Sequence, residues 1–167
     1  VLFTADHLLQ SCACFISKAA AEDQIALVGD FTHDVCIDRL KEGSISVVGT
    51  HFDEHHCQWQ TTTIPGFLAV ADEEDKDAWR HLAETFNKHM LEKHGIDMQA
   101  IVNATFLDGN PAGCGQVAAA YPNADAHRCL QHIKAEVRKH IPGGVGHQVC
   151  LWLDMVAFVY SDALFHV

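Results

Sequence analysis

The sequence predicts a mixed α/β sheet covered by helices, and three observations carry that reading. Two apolar runs, residues 25–28 and 98–107, each end on an aspartate. Between them lies a stretch with two β-rich segments, 44–48 and 61–70. After residue 72, segments with apolar residues at helical spacing alternate with short strand-like runs.

Each element follows from local pattern. Residues 4–21 place Leu8, Leu9, Cys12, Phe15, Ile16 and Ala19 at helical spacing, with Thr4 as N-cap. Residues 25–28 form a buried strand that runs into Gly29-Asp30. Gly43 precedes the strand 44–48, and the His-rich turn 52–57 joins it to the strand 61–70, completing a three-strand meander. The acidic run Asp72-Glu-Glu-Asp75 then gives negative charge to the start of a helix whose face carries Trp79, Leu82, Phe86, Met90 and Leu91, and Gly95 ends it. Residues 98–107 read as a fourth strand leading to Asp108-Gly-Asn-Pro111, where Pro111 opens a helix through residue 120. Residues 122–125 make a turn, 127–132 a short fifth strand, and 133–141 a basic helix closed by Pro142-Gly-Gly144. Val149, Leu153, Val156, Phe158 and Leu164 give the remainder helical spacing.

With 167 residues and 49% hydrophobic content, the chain is expected to form one domain with a real core. It starts at Val1 and closes on an apolar stretch, so both ends are read as cut from something longer. No basic n-region marks a secretory signal. The longest apolar run, 149–160, is broken by Asp154 and falls short of the roughly 20 residues that a membrane span needs. A soluble protein without a membrane partner is expected. Seven scattered cysteines show no disulfide framework, which points to reduced thiols inside a cell.

Twenty-two acidic against eleven basic residues give a formal charge of −11, the wrong sign for a surface that binds DNA by phosphate neutralisation alone. Clustered carboxylates suit a different chemistry. If the strands ending at Asp30 and Asp108 are neighbours, the two side chains meet at strand ends, where α/β sheets place their ligands. Paired carboxylates satisfy Mg²⁺, a hard ion that takes oxygen ligands and keeps waters and substrate phosphate in its other positions. An aspartate ahead of a turn or helix also serves as a cap, and composition does not separate the two roles.

Cys129 and His132 offer two of the four ligands of a structural Zn²⁺ site; a half-buried pair without metal explains them as well. His51, His55, His56 and Cys57 read as a solvated hairpin turn. Lys134, Arg138 and Lys139 make the one locally basic helix, which suits a phosphate backbone or simple solvent exposure. No GxSxG elbow, P-loop or HExxH is present, so serine hydrolase, nucleotide hydrolase and zincin chemistries lack their signatures.

Four segments together resemble one family. Ala26-Leu-Val-Gly-Asp-Phe-Thr-His33 is similar to the first-aspartate motif of Mutator-like element (MULE) transposases. Asp108-Gly-Asn-Pro-Ala112, with the helix after it and the turn Tyr121-Pro-Asn-Ala124, resembles their second-aspartate block and its FPNA turn. Cys129-Leu-Gln-His132 matches their CxxH element, and the acidic run 72–75 resembles their acidic approach to the intervening helix. Order and spacing agree along roughly residues 25–140. Phe31 departs from the Gly or Ala usual after the first aspartate. An alternative alignment on Val48-Gly-Thr50 leaves too little chain for the strands that follow.

The resemblance implies an RNase H-like catalytic core at 25–147, led by a helix within 1–24, with the start of a helical insertion at 148–167. It implies that Asp30 and Asp108 hold Mg²⁺ or Mn²⁺ and that the protein cleaves DNA at transposon ends and transfers the freed 3′-hydroxyl to target DNA. It also implies a homo-oligomer in the full-length protein, a nuclear location, DNA-binding segments outside the core, and Zn²⁺ at Cys129 and His132 only with ligands from elsewhere. The third acidic ligand, usually Glu, is expected beyond the insertion; Asp154 and Asp162 are its only stand-ins here. Two alternatives remain: a domesticated, catalytically inactive DNA-binding or transcription-regulating protein, or an unrelated α/β protein in which Asp30 and Asp108 are far apart.

Overall fold

The structure, a computed structural model, describes residues 2–3, 6–18, 25–32, 40–53, 55 and 57–165. It divides into two compact units, Val1–His127 and Arg128–Val167.

The first unit is built on a mixed sheet. Its strands are β1 (Leu2–Phe3), β2 (Ile25–Thr32), β3 (Lys41–Asp53), β4 (Gln58–Ala71), β5 (Val102–Leu107) and β6 (Asp125–Arg128), in the order β1-β4-β3-β2-β5-β6. β2, β3 and β4 form the expected antiparallel meander, with β3 and β4 in register from Lys41↔Ala71 to Asp53↔Gln58 across one bulge at Ile45/Ser46. On its other edge β2 pairs in parallel with β5. The two hairpin strands run well past the sequence-predicted 44–48 and 61–70. Backbone pairing carries them through polar residues that no hydrophobic pattern marks.

β2 shows why the sheet has an inside. Ile25, Leu27, Gly29 and Phe31 are buried, whereas Ala26, Val28 and Asp30 are half-buried, the alternation of a strand with one face on the core. That core face meets α1 (Asp6–Lys18), α2 (Lys76–His94) and α4 (Pro111–Ala120). α1 and α2 both pack on β4 and on one another, and α4 packs on α2, so all three helices lie on one side. α1 covers the central part of the segment read as helical; the Thr4 cap lies outside the described residues.

In α2 the buried residues Trp79, Leu82, Ala83, Phe86 and Met90 make the apolar stripe, whereas Leu91, expected on the same face, is 55% exposed because it follows Met90 directly and is rotated off the stripe. Asp75 caps its start, accepting from the Ala78 backbone N–H at 2.8 Å. Gly95 ends it in the left-handed region at φ 68, donating its N–H to the Leu91 carbonyl.

Several elements differ from expectation: Leu2–Phe3 pair as a short strand that no sequence pattern marks, β2 runs through Asp30 to Thr32 because its pairing with β3 continues, and the last helix begins at Gly143. Residues 98–101 are not strand but a short helix, α3 (Met98–Ile101), because the Asp97 side chain caps it at the Gln99 N–H and Met98 is buried. Met, Gln and Ala are better helix than strand formers, so β5 begins only at Val102. The strand read at 127–132 is Asp125–Arg128 instead. Residues from Leu130 onward belong to a helix with apolar residues at helical spacing.

The second unit is a pair of packed helices, α5 (Leu130–His140) and α6 (Gly143–Phe165). Lys134 of α5 is only 8% exposed, and its Nζ donates to both carboxylate oxygens of Asp154 on α6, at 2.7 and 2.8 Å. Cys150 lies beside the Lys134 carbonyl. Among the described residues no helix is long and apolar enough to cross a membrane, and the described cysteines are free thiols.

Candidate functional site

The carboxyl ends of β2 and β5 bring the two predicted aspartates to the same edge. The parallel register runs Ala26↔Ala104, Leu27↔Thr105 and Val28↔Phe106. Two residues further along each strand come Asp30, still within β2, and Asp108, the first residue after β5. Pairing ends at Val28↔Phe106, so each aspartate lies two residues beyond the last paired position of two neighbouring parallel strands, and both are half-buried. On its other side Asp30 faces Ser44 of β3 in the antiparallel register. Phe106, next to this edge on β5, stacks on the ring of His127 with centroids 5.1 Å apart and planes 23° from parallel.

Asp108 opens a tight turn. Its Oδ1 accepts from the Asn110 backbone N–H at 2.8 Å, and Gly109 adopts φ 100, a conformation that favours glycine. Asn110 in turn caps α4, its Oδ1 accepting from the Ala112 N–H at 2.9 Å, and Pro111 fills the first helical position, where no N–H is needed. Asp108 therefore closes an Asx turn, while Asn110 caps α4, and the turn engages one carboxylate oxygen of Asp108. Among the described residues Oδ2 takes no hydrogen bond.

One residue of the acidic run belongs to this edge. Glu74 is half-buried, and its Oε1 accepts both from Asn110 Nδ2 at 2.7 Å and from Trp79 Nε1 at 3.1 Å. Its neighbours Asp72, Glu73 and Asp75 are exposed. In the sequence all four read alike as charge for the start of α2, and only the contacts with Asn110 and Trp79 single out Glu74.

The donor set that Asp30 and Asp108 offer is carboxylate oxygen alone, which fits a hard ion such as Mg²⁺ or Mn²⁺ held by one or two carboxylates plus water and phosphate. Among the described residues no group of three or more His, Cys, Asp and Glu side chains is arranged to hold a metal by itself. Cys129 stands at the N-cap position of α5 without a side-chain cap bond, and His132 lies in that helix's first turn, both half-buried. No third metal-binding side chain joins them among the described residues, so a Zn²⁺ site at Cys129 and His132 would need ligands from elsewhere.

The other predicted residues divide clearly. Arg138 and Lys139 are exposed in the last turn of α5, and Lys139 sits 3.5 Å from Glu136, holding that carboxyl below its usual range. Lys134 and Asp154 are engaged with each other. The side chain of Asp162 lies outside the described residues, as do the side chain of His51 and all of His56; His55 and Cys57 are exposed in the hairpin turn. Burial pushes the Cys12 thiol up to about 11, so it stays protonated at neutral pH and is no nucleophile. Comparison with protein-family models and with curated proteins finds no match to this chain.

Proposed function

We propose that this chain is the catalytic core of a DNA transposase of the Mutator-like type, with an RNase H-like fold, in which Asp30 and Asp108 form the metal-binding edge. The observation that carries the reading is the parallel pairing of β2 with β5, because it puts two aspartates predicted from sequence at adjoining strand ends. An unrelated protein with two capping aspartates has no need of that adjacency. Mg²⁺ bound there would supply Lewis-acid stabilisation of phosphate charge and lower the pKa of a bound hydroxyl or water.

The chain's own residues have simpler tasks. Asp30 presents a carboxylate from within a strand, its backbone held by pairing with Ser44 of β3. Asp108 presents one from a turn, with Oδ1 tied to the Asn110 N–H. In this reading the substrate is DNA at transposon ends and at the target, the working form is a homo-oligomer in the nucleus, and exposed Arg138 and Lys139 supply phosphate contacts. Lys134 instead anchors α5 to α6. With a charge of −11, affinity for DNA rests on DNA-binding segments outside the core.

Mn²⁺ binding, followed by electron paramagnetic resonance with the intact chain, tests the reading. The wild type is expected to bind, and Asp30→Asn and Asp108→Asn each to weaken binding by at least about tenfold, roughly 1.4 kcal/mol. A wild type that leaves Mn²⁺ free, or variants that bind as well as it does, would overturn the proposal.

A further inference from the structure

We infer that Glu74 is a positioning residue for Asp108, acting through Asn110, an inference that deepens the proposed metal-binding role of Asp108. Three elements converge on Asn110. Its Nδ2 donates to Glu74 Oε1 at 2.7 Å, its Oδ1 accepts from the Ala112 N–H at 2.9 Å, and its own backbone N–H donates to Asp108 Oδ1 at 2.8 Å. The asparagine is thus clamped between the start of α4 and a carboxylate at the start of α2. The backbone group that orients Asp108 is carried by the clamped residue.

The clamp is strong for a physical reason. A carboxylate that accepts from two neutral N–H donors forms charge-assisted bonds, about twice as strong as neutral ones. Glu74 is itself fixed by Trp79 Nε1 at 3.1 Å, and Trp79 is among the most deeply buried side chains of the first unit. Rigidity passes from the core through Glu74 and Asn110 to Asp108. The result is one carboxylate oxygen held by the backbone and the other left for a ligand, with its direction set before the ligand arrives.

A general need for negative charge ahead of α2 does not explain this arrangement. Asp72, Glu73 and Asp75 already supply it from exposed positions, and Asp75 provides the cap. Glu74 is the member of the run that reaches across to the loop after β5.

Glu74→Ala and Glu74→Gln separate positioning from direct metal binding, because the glutamine carbonyl can still accept from both Asn110 and Trp79 while its charge is gone. Hydrogen exchange of the Asn110 amide is measured first, in metal-free protein by NMR. It is expected to quicken by about tenfold or more in Glu74→Ala, the scale of one lost bond to a charged group, and to quicken less in Glu74→Gln, where both bonds remain without their charge assistance. Mn²⁺ affinity is expected to fall severalfold in Glu74→Ala and to be largely kept in Glu74→Gln. Unchanged Asn110 exchange in Glu74→Ala overturns the inference whatever the metal does. Loss of Mn²⁺ binding in Glu74→Gln as complete as in Asp108→Asn also overturns it, since Glu74 would then be a ligand. Failure of the wild type to bind Mn²⁺ defeats the proposed function instead, and leaves the relay to be decided by amide exchange alone.

Discussion

Replacing Trp79 with alanine is expected to destabilise the unit that contains it by about 3–5 kcal/mol, the range for deleting a large buried aromatic. The indole is 1% exposed and packs edge-on against Phe31, with centroids 4.8 Å apart and planes at 66°. It also gives its N–H to Glu74. Truncation opens a cavity beneath β2, removes an aromatic pair and leaves Glu74 with one donor fewer, and none of these losses can be repaired by small shifts. Urea unfolding of wild type and variant measures the difference. A loss below about 1 kcal/mol, the level of an ordinary surface change, would contradict the central packing of Trp79.

The converse substitution fills space that the indole already occupies. A Cβ at Gly29 would lie 2.7 Å from Leu107 Cδ2 and 2.8 Å from Trp79 Cζ3, and a Cβ at Gly113 would lie 2.6 Å from Trp79 Cε2. Both glycines exist so that Trp79 can touch backbone. Gly29→Ala is expected to cost about 1–3 kcal/mol, because the methyl group must push apart side chains that are themselves close-packed. Gly29 directly precedes Asp30 and Leu107 directly precedes Asp108, so the same methyl group crowds the core face directly behind the two aspartates. Combination with Trp79→Leu should be less harmful than the sum of the two single changes, as the smaller side chain yields the space. Denaturation of the four proteins in the cycle gives the coupling directly; strict additivity would contradict the packing.

What could be read from sequence was mostly what is local. The α2 stripe from Trp79 to Met90, the stop at Gly95, the meander and Asp108 after its apolar run depend on residues a few positions apart and are found where expected, whereas Leu91 is exposed and Asp30 lies within β2, which runs on to Thr32. Two local judgements failed where preferences compete. At residues 98–101 the Asp97 cap outweighed an apolar run, and after Arg128 helical periodicity prevailed over a short strand-like pattern. The adjacency of Asp30 and Asp108 was legible only as a condition, since nothing in the spacing states that β2 and β5 are neighbours. Glu74 was hidden for a related reason: in a run of four acids, only tertiary contact distinguishes the one turned inward. The basic helix shows the same limit, as Lys134 resembles Arg138 and Lys139 in sequence but is held by Asp154 in the fold.

The sheet also orders events in time. β3 and β4 meet through a short turn closing at Asp53↔Gln58, whereas β2 reaches β5 only after that whole hairpin, α2 and α3 have intervened. Chain closure over longer separations is slower, and parallel pairing cannot start from a tight turn. The hairpin is therefore expected to gain amide protection before β5 does in pulse-labelled refolding; simultaneous protection would contradict this order. The edge where Asp30 and Asp108 adjoin is then among the last features a newly made chain acquires. Until that step the protein holds a meander with one parallel edge still open, and its two carboxylates are apart. Metal binding, if it rewards only the closed sheet, would report the completion of folding rather than its onset.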